Sequence, residues 1–271
     1  MVGLSLRMAP YTTGYVHVQT NPKVAYSVKK TIKNAERIIS HFKQLAPDFD
    51  TNRVCIKIPS TWEGLQACRE LEKKGITTLA TTLFSLEQIA LAAAAGCRYV
   101  APYVNELRVH FDPDYTDPGP ALAFTRTAQA YLDSLSESSN DDSRKTQVVA
   151  ASLTSVDQVM QLAGIHHITI PPGLLAELAS KPAASWAGSS VQKRHAAGTA
   201  SAVAPPAPEV RRVLEAVVND EALWRMAFTR AEDGRCEAKL AQALSIFANM
   251  QERLEEMVRR AEGGRRGSAM L

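Results

Sequence analysis

The sequence predicts an α/β fold with a parallel sheet, and three observations carry that prediction. Short β-branched runs recur along the chain, longer stretches of helical period separate them, and 271 residues suffice for one large domain with a substantial core. Parallel strands need crossover connections of about a dozen residues or more, which is what the intervening stretches supply. The runs that read as strands are residues 15–19, 53–58, 76–81, 98–104, 146–152 and 167–170. The helical stretches are 25–45, 62–74, 86–95, 120–135, 156–163 and 174–179. In the first of these, Ile38, Ile39, Phe42 and Leu45 recur at helical spacing and would cover one sheet face.

Two segments interrupt the alternation. Residues 136–145 (SESSNDDSRK) have too little apolar surface to order themselves and read as a surface loop. Residues 180–208, rich in Ala, Ser, Gly and Pro, read as a flexible linker or lid. Helical period returns at 209–218 and 237–260, the latter with Leu240, Leu244, Phe247, Met250 and Leu254 on one stripe. Gly263 and Gly264 are expected to end that helix and leave a disordered tail. The expected organisation is a barrel over 1–179, the linker 180–208, packed helices over 209–262 and the tail 263–271.

Composition narrows the function. Hydrophobic residues make up 45% and charged residues 22%, the ordinary globular range. The formal charge is only +3, with arginines gathered at 259, 260, 265 and 266, so nucleic acid is not an expected partner. No apolar stretch reaches the length of a membrane span and the N-terminus lacks a signal-like run, so a cytoplasmic protein is expected. Cys55, Cys68, Cys97 and Cys236 lack metal-type spacing, and neither disulfide nor metal is expected.

The chemistry concentrates in Cys55-Ile56-Lys57-Ile58-Pro59-Ser60-Thr61-Trp62-Glu63-Gly64, which puts a lysine inside a short apolar strand. Such a lysine either snorkels its ammonium to water or is desolvated, which lowers its pKa and yields an amine able to attack a carbonyl. The residues alone leave both readings open.

KIPSTWEGLQACRELEKKGI (57–76), TLFS (82–85), YVAPYV (99–104), VVAAS (148–152) and ITIPP (168–172) follow one another in an order and spacing that resemble the transaldolase family. The resemblance runs from about Tyr15 to Pro172, resumes at Asp220-Glu221-Ala222-Leu223-Trp224 and in the 237–260 helix, and is not evident over 180–208. It implies a transaldolase-like (β/α) TIM-type barrel. Only fourteen residues precede the first strand here, too few for two more βα units, so the barrel is expected to be N-terminally truncated to about six strands with C-terminal helices. Its open edges would need covering, which makes a homo-oligomer expected.

The resemblance further implies that Lys57 forms a Schiff base with a small-molecule carbonyl substrate, without metal or cofactor. Thr81 and Gln19 would hold a water for proton transfer at C-terminal strand ends, where barrel sites are built. Gln19 and Tyr103 match the fructose-6-phosphate aldolase-like branch more closely than ordinary transaldolases, and Tyr103 would be its acid/base group. Read as residues alone, Tyr103 is also a half-buried strand aromatic, Thr81 a β-former and Gln19 a solvated strand end. Substrate-binding candidates are Asn21, Asn105, Glu106, Ser152 and Thr154. Asn21, in Thr20-Asn21-Pro22, echoes a family motif but lies too near Lys57 in sequence for the family's placement. Glu106 and Thr154 stand where the family has phosphate-gripping basic residues, leaving Ser152 alone of that site. The acidic residue of the family's first strand has no counterpart. His17 alternates onto the face of Gln19 and either substitutes for that group or packs.

The expected function is therefore a Schiff-base (class I) aldolase or transaldolase-like enzyme that is not phosphate-dependent. The alternatives are a catalytically impaired relative serving as a binding or assembly protein, and a pentose phosphate pathway transaldolase.

Overall fold

The computed structural model describes residues 1–136, 145–182 and 203–268. Most of the expected loop and of the expected linker or lid, at 137–144 and 183–202, lies outside the described residues, as do residues 269–271 of the expected tail.

Six parallel strands form one sheet in chain order: β1 (Val16–Gln19), β2 (Val54–Pro59), β3 (Thr78–Leu83), β4 (Tyr99–Pro102), β5 (Gln147–Ala150) and β6 (His167–Ile168). Helices α2 (Val28–Leu45), α3 (Trp62–Lys73), α4 (Leu86–Ala94), α5 (Leu122–Ser136) and α6 (Val156–Gln161) make the crossovers, and α7 (Pro172–Ser180) follows β6. This is the half-barrel that the motif order implies. Register partners in parallel strands share a face, so Val18, Ile56, Ala80 and Val100 form one layer against the helices, all of them buried. The opposite, inner face carries His17, Gln19, Lys57, Leu79, Thr81, Tyr99 and Ala101.

Helix starts follow their caps. Ser27, Thr61, Ser85 and Ser155 each accept a backbone N–H of the first turn of α2, α3, α4 and α6. At α4 the Gln88 side chain completes a capping box. The expected helix from residue 25 begins only at Val28, because a 3-10 turn over Pro22–Val24 uses the preceding backbone groups. The expected strand from 76 begins at Thr78, because the Ile76 N–H closes α3 on the Leu71 carbonyl. Past α3 the chain reverses through Gly75 at φ +74°, a left-handed conformation that favours glycine.

Several elements exceed the sequence reading. An N-terminal helix α1 (Val2–Met8) packs on α2 and β1. Arg53 ties the following turn down by donating to the carbonyls of Ala9, Thr12 and Gly14. After α8 (Pro208–Val217), the Asp220–Trp224 motif proves to be the capped start of α9 (Glu221–Arg230). Trp224 stacks on Phe228, lies against Trp62 and donates its indole N–H to the Glu87 carbonyl, fixing α9 over α3 and α4. Helix α10 (Arg235–Ser268) runs through Gly263 and Gly264, correcting the expected stop. Interior glycine costs a helix only about 1 kcal/mol relative to alanine and does not end it unaided. No helix among the described residues is long and apolar enough to cross a membrane.

Candidate active site

The inner face gathers polar side chains at the C-terminal ends of the central strands. Gln19 and Lys57 are register partners on β1 and β2, and Pro59 pairs with Thr81, which brings Lys57 and Thr81 to adjacent strands on one face. Thr81 donates from Oγ1 to the Tyr103 hydroxyl at 3.3 Å. Both residues are buried, and Tyr103 continues the face of Ala101 and forms an isolated bridge to Ala151, just past the end of β5. The four residues expected to carry chemistry thus lie along one arc from β1 to β4.

Burial lowers the pKa of the Lys57 ammonium below the usual lysine range, opposed only by the Cys55 thiol on the same strand. Burial also pushes the Tyr103 phenol up to about 12, with the Thr81 hydrogen bond acting the other way. At neutral pH Tyr103 is therefore a protonated donor whose oxygen already accepts from Thr81. Although one side of the His17 ring reaches solvent, the protein packed around it holds its pKa down to about 4, with Lys57 and then His167 adding to the effect, so it is neutral at pH 7.

The site's backbone is braced. Ser60 donates from Oγ to the Thr81 carbonyl at 2.7 Å. The buried Gln88 amide donates to the Ser60 and Thr82 carbonyls, and its oxygen accepts the Phe84 N–H. Between them Thr82 sits at φ +58°, and the β3–β4 register shifts there. A β-branched residue in that region is strained by about 1–3 kcal/mol and persists only where its surroundings over-determine it. Gly64 has a steric reason: a Cβ there would lie 2.1 Å from the Pro59 carbonyl oxygen. The run from Lys57 to Gly64 is thus a strand end, an N-cap at Thr61 and a helix turn that only glycine lets close.

The substrate-binding candidates separate. Asn105 is buried, donates to the Ser152 carbonyl at 2.6 Å and exchanges bonds with Gln158, so its side chain holds the loop after β5. The Thr154 backbone and hydroxyl both donate to Gln158 Oε1 at the start of α6. Asn21 accepts the Lys23 N–H and caps a 3-10 turn. Glu106 Oε2 accepts from the Tyr115 hydroxyl and from Gln242 of α10. Ser152, at φ +62°, has its hydroxyl 2.9 Å from His110 Nε2. Sequence reading missed His110, which lies on a one-turn 3-10 helix with no periodic signal to place it.

Deeper on the inner face, Tyr99 contacts the rings of His17 and His167, centroids 5.8 and 5.5 Å away. The side chains of the two edge strands β1 and β6 therefore meet one aromatic of β4. His167 also bonds Gln147, and His166 accepts the Val148 N–H and faces Asp133. Among the described residues no cluster of His, Cys, Asp and Glu is arranged to hold a metal.

A family model described as Transaldolase/Fructose-6-phosphate aldolase matches residues 2–258. The match begins ahead of the resemblance read from Tyr15 and spans the stretch 180–208, where no motif was evident. Among curated proteins, the chain is 30% identical over 265 residues to a transaldolase of Shewanella denitrificans, covering 95% of this chain and 74% of that one. It is 29% identical over 255 residues to a transaldolase of Alteromonas mediterranea, covering 91% of this chain and 70% of the other. It is 28% identical over 266 residues to transaldolase B of Pasteurella multocida, covering 95% and 74%.

Proposed function

The chain belongs to the transaldolase/fructose-6-phosphate aldolase family, and from that premise we propose that it is a Schiff-base aldolase or transaldolase-like enzyme acting on a carbonyl substrate that need not carry phosphate. The observation that carries this reading is Lys57, whose amine is desolvated on the sheet face that also carries Gln19, Thr81 and Tyr103.

The neutral Lys57 amine adds to the substrate carbonyl, and loss of water leaves an iminium. In the cleavage direction the hydroxyl two carbons away gives up its proton, the C–C bond breaks, and its electron pair moves into the iminium to form an enamine. In the reverse direction the enamine carbon attacks an aldehyde, and the alkoxide that forms takes a proton. Tyr103 gives this proton in the synthesis direction as the neutral phenol, and in cleavage it takes the proton as the phenolate, after passing its own proton to water. Its phenol stays protonated at neutral pH, and the bond from Thr81 to its oxygen stabilises charge there during transfer. Gln19 and Thr81 are the residues that would hold a water for the dehydration step.

Phosphate independence rests on charge. Glu106 puts a carboxylate where the family resemblance places a guanidinium, and two basic residues nearby are engaged elsewhere. Lys23 pairs with Glu252 and Glu255, while Arg108 pairs with Asp112 and lies over the Tyr115 ring. Two lost charge-assisted bonds are worth about 1.5–3 kcal/mol each.

A second reading, a relative that binds rather than turns over, is favoured by the exposure of His17 and His167 on the inner face. Borohydride reduction with candidate carbonyl compounds, read by mass spectrometry, separates the two. The enzyme reading expects an adduct on Lys57 that the Lys57→Ala variant abolishes. Undiminished trapping in that variant overturns the assignment. We further infer a homo-oligomer whose contacts cover the β1 or β6 edge. Light scattering that finds a monomer at every concentration would exclude it.

A further inference from the structure

At the mouth of the half-barrel, the loop after β5 and the 3-10 turn Leu107–His110 after β4 meet through one side-chain contact, Ser152 Oγ to His110 Nε2 at 2.9 Å. Both residues retain access to solvent. Ser152 holds φ +62°, an uncommon conformation for a residue with a Cβ. Asn105 maintains it through the 2.6 Å bond to the Ser152 carbonyl, itself locked by Gln158. A strained residue held at the mouth by a buried amide points to use of its side chain.

We propose that Ser152 and His110 form a neutral hydroxyl-recognising subsite that receives the far end of an unphosphorylated polyhydroxy carbonyl substrate. A serine hydroxyl offers one donor and two lone pairs, and a neutral imidazole offers one donor and one acceptor. That set matches a substrate hydroxyl, which also donates once and accepts twice. It does not match a phosphate dianion, which needs donors and positive charge. The charged groups of the adjoining segment are committed: Glu106 to Tyr115 and Gln242, Arg108 to Asp112, and Asp117 to the backbone N–H groups of Glu106 and Gly119. Burial lowers the His110 pKa and keeps the ring neutral at pH 7. The inference rests on the Schiff-base reading for the identity of the ligand as a carbonyl compound.

The test follows the His110 ring by NMR, its signals identified by their loss in His110→Gln. The probes are a four-carbon aldose, its terminal phosphate ester, and hydroxyacetone, which lacks distal hydroxyls. The aldose should shift the His110 signals in the wild type and in Lys57→Ala, and hydroxyacetone should leave them in place. In turnover, Ser152→Gly should raise KM for the aldose roughly three- to ten-fold, the range for one neutral hydrogen bond, with kcat little changed. The same variant should keep or raise Tm, because glycine relieves the positive φ. His110→Gln, which retains a donor and an acceptor, should recover affinity that His110→Ala loses. A trappable Lys57 adduct with no movement of His110 overturns the subsite and leaves the Schiff-base reading standing. Movement of His110 without any Lys57 adduct does the reverse, and a larger shift with the phosphate ester than with the aldose overturns the neutral subsite.

Discussion

The centre of the sheet and its edges are built to different tolerances. Strands β2 and β3 are six residues long, each flanked by strands on both sides, and every β3 residue is buried. Strands β1 and β6 are four and two residues long, end the sheet, and carry the exposed His17 and His167. The small cluster of Val104, Ala150, Leu153, Val159 and Leu162 supports the β6 side, apart from the main core. Lys57, Thr81 and Tyr103 lie toward the centre. The 3.3 Å bond from Thr81 to the Tyr103 hydroxyl tolerates little displacement, and position is over-determined only where strands are paired on both sides.

Three changes probe this contrast, in order of expected size. Tyr103→Phe removes the hydroxyl but keeps the ring against Phe84, so kcat should fall about 10²–10⁴-fold while the fold persists. Circular dichroism and steady-state turnover read both, and unchanged turnover would reduce Tyr103 to a packing residue. Gly64→Ala also strikes the centre, since the added methyl meets the Pro59 carbonyl at 2.1 Å. It should cost about 1–3 kcal/mol in urea unfolding, and a stability equal to wild type would show that α3 moves freely against β2.

The smallest effect belongs to the edge. His17 has its folded pKa lowered from about 6.5 to about 4, so between those values the unfolded chain binds the proton first. Its contribution to stability is therefore present above pH 6.5 and is lost as pH falls toward 4. His17→Asn cannot titrate, and its unfolding midpoint should fall less steeply over that window. Parallel profiles for the two proteins would mean that the folded chain neither desolvates His17 nor sets it against Lys57 and His167.

The site was legible in unequal parts. Lys57, Thr81 and Gln19 could be assigned to strands by local alternation, but only the family resemblance singled them out for chemistry. Glu106 and Thr154 were legible as departures from the pattern, but their partners were not. Gln242 reaches Glu106 from 136 residues away, a distance no local rule spans. His110 gave no signal, because a single irregular turn has neither period nor cap and its meaning lies wholly in Ser152.

What the sequence by itself determined is the alternation of strands and helices and the parallel sheet that their crossovers impose. These follow from periods of about two and 3.6 residues and from the length of the connections. Only the tertiary structure decided that burial would depress the Lys57 and His17 pKa values, that Tyr103 would meet Thr81, that Ser152 would be held at positive φ against His110, and that α10 would reach Glu106. Desolvation and strain depend on everything that surrounds an atom, and that surrounding is assembled from segments far apart in the chain.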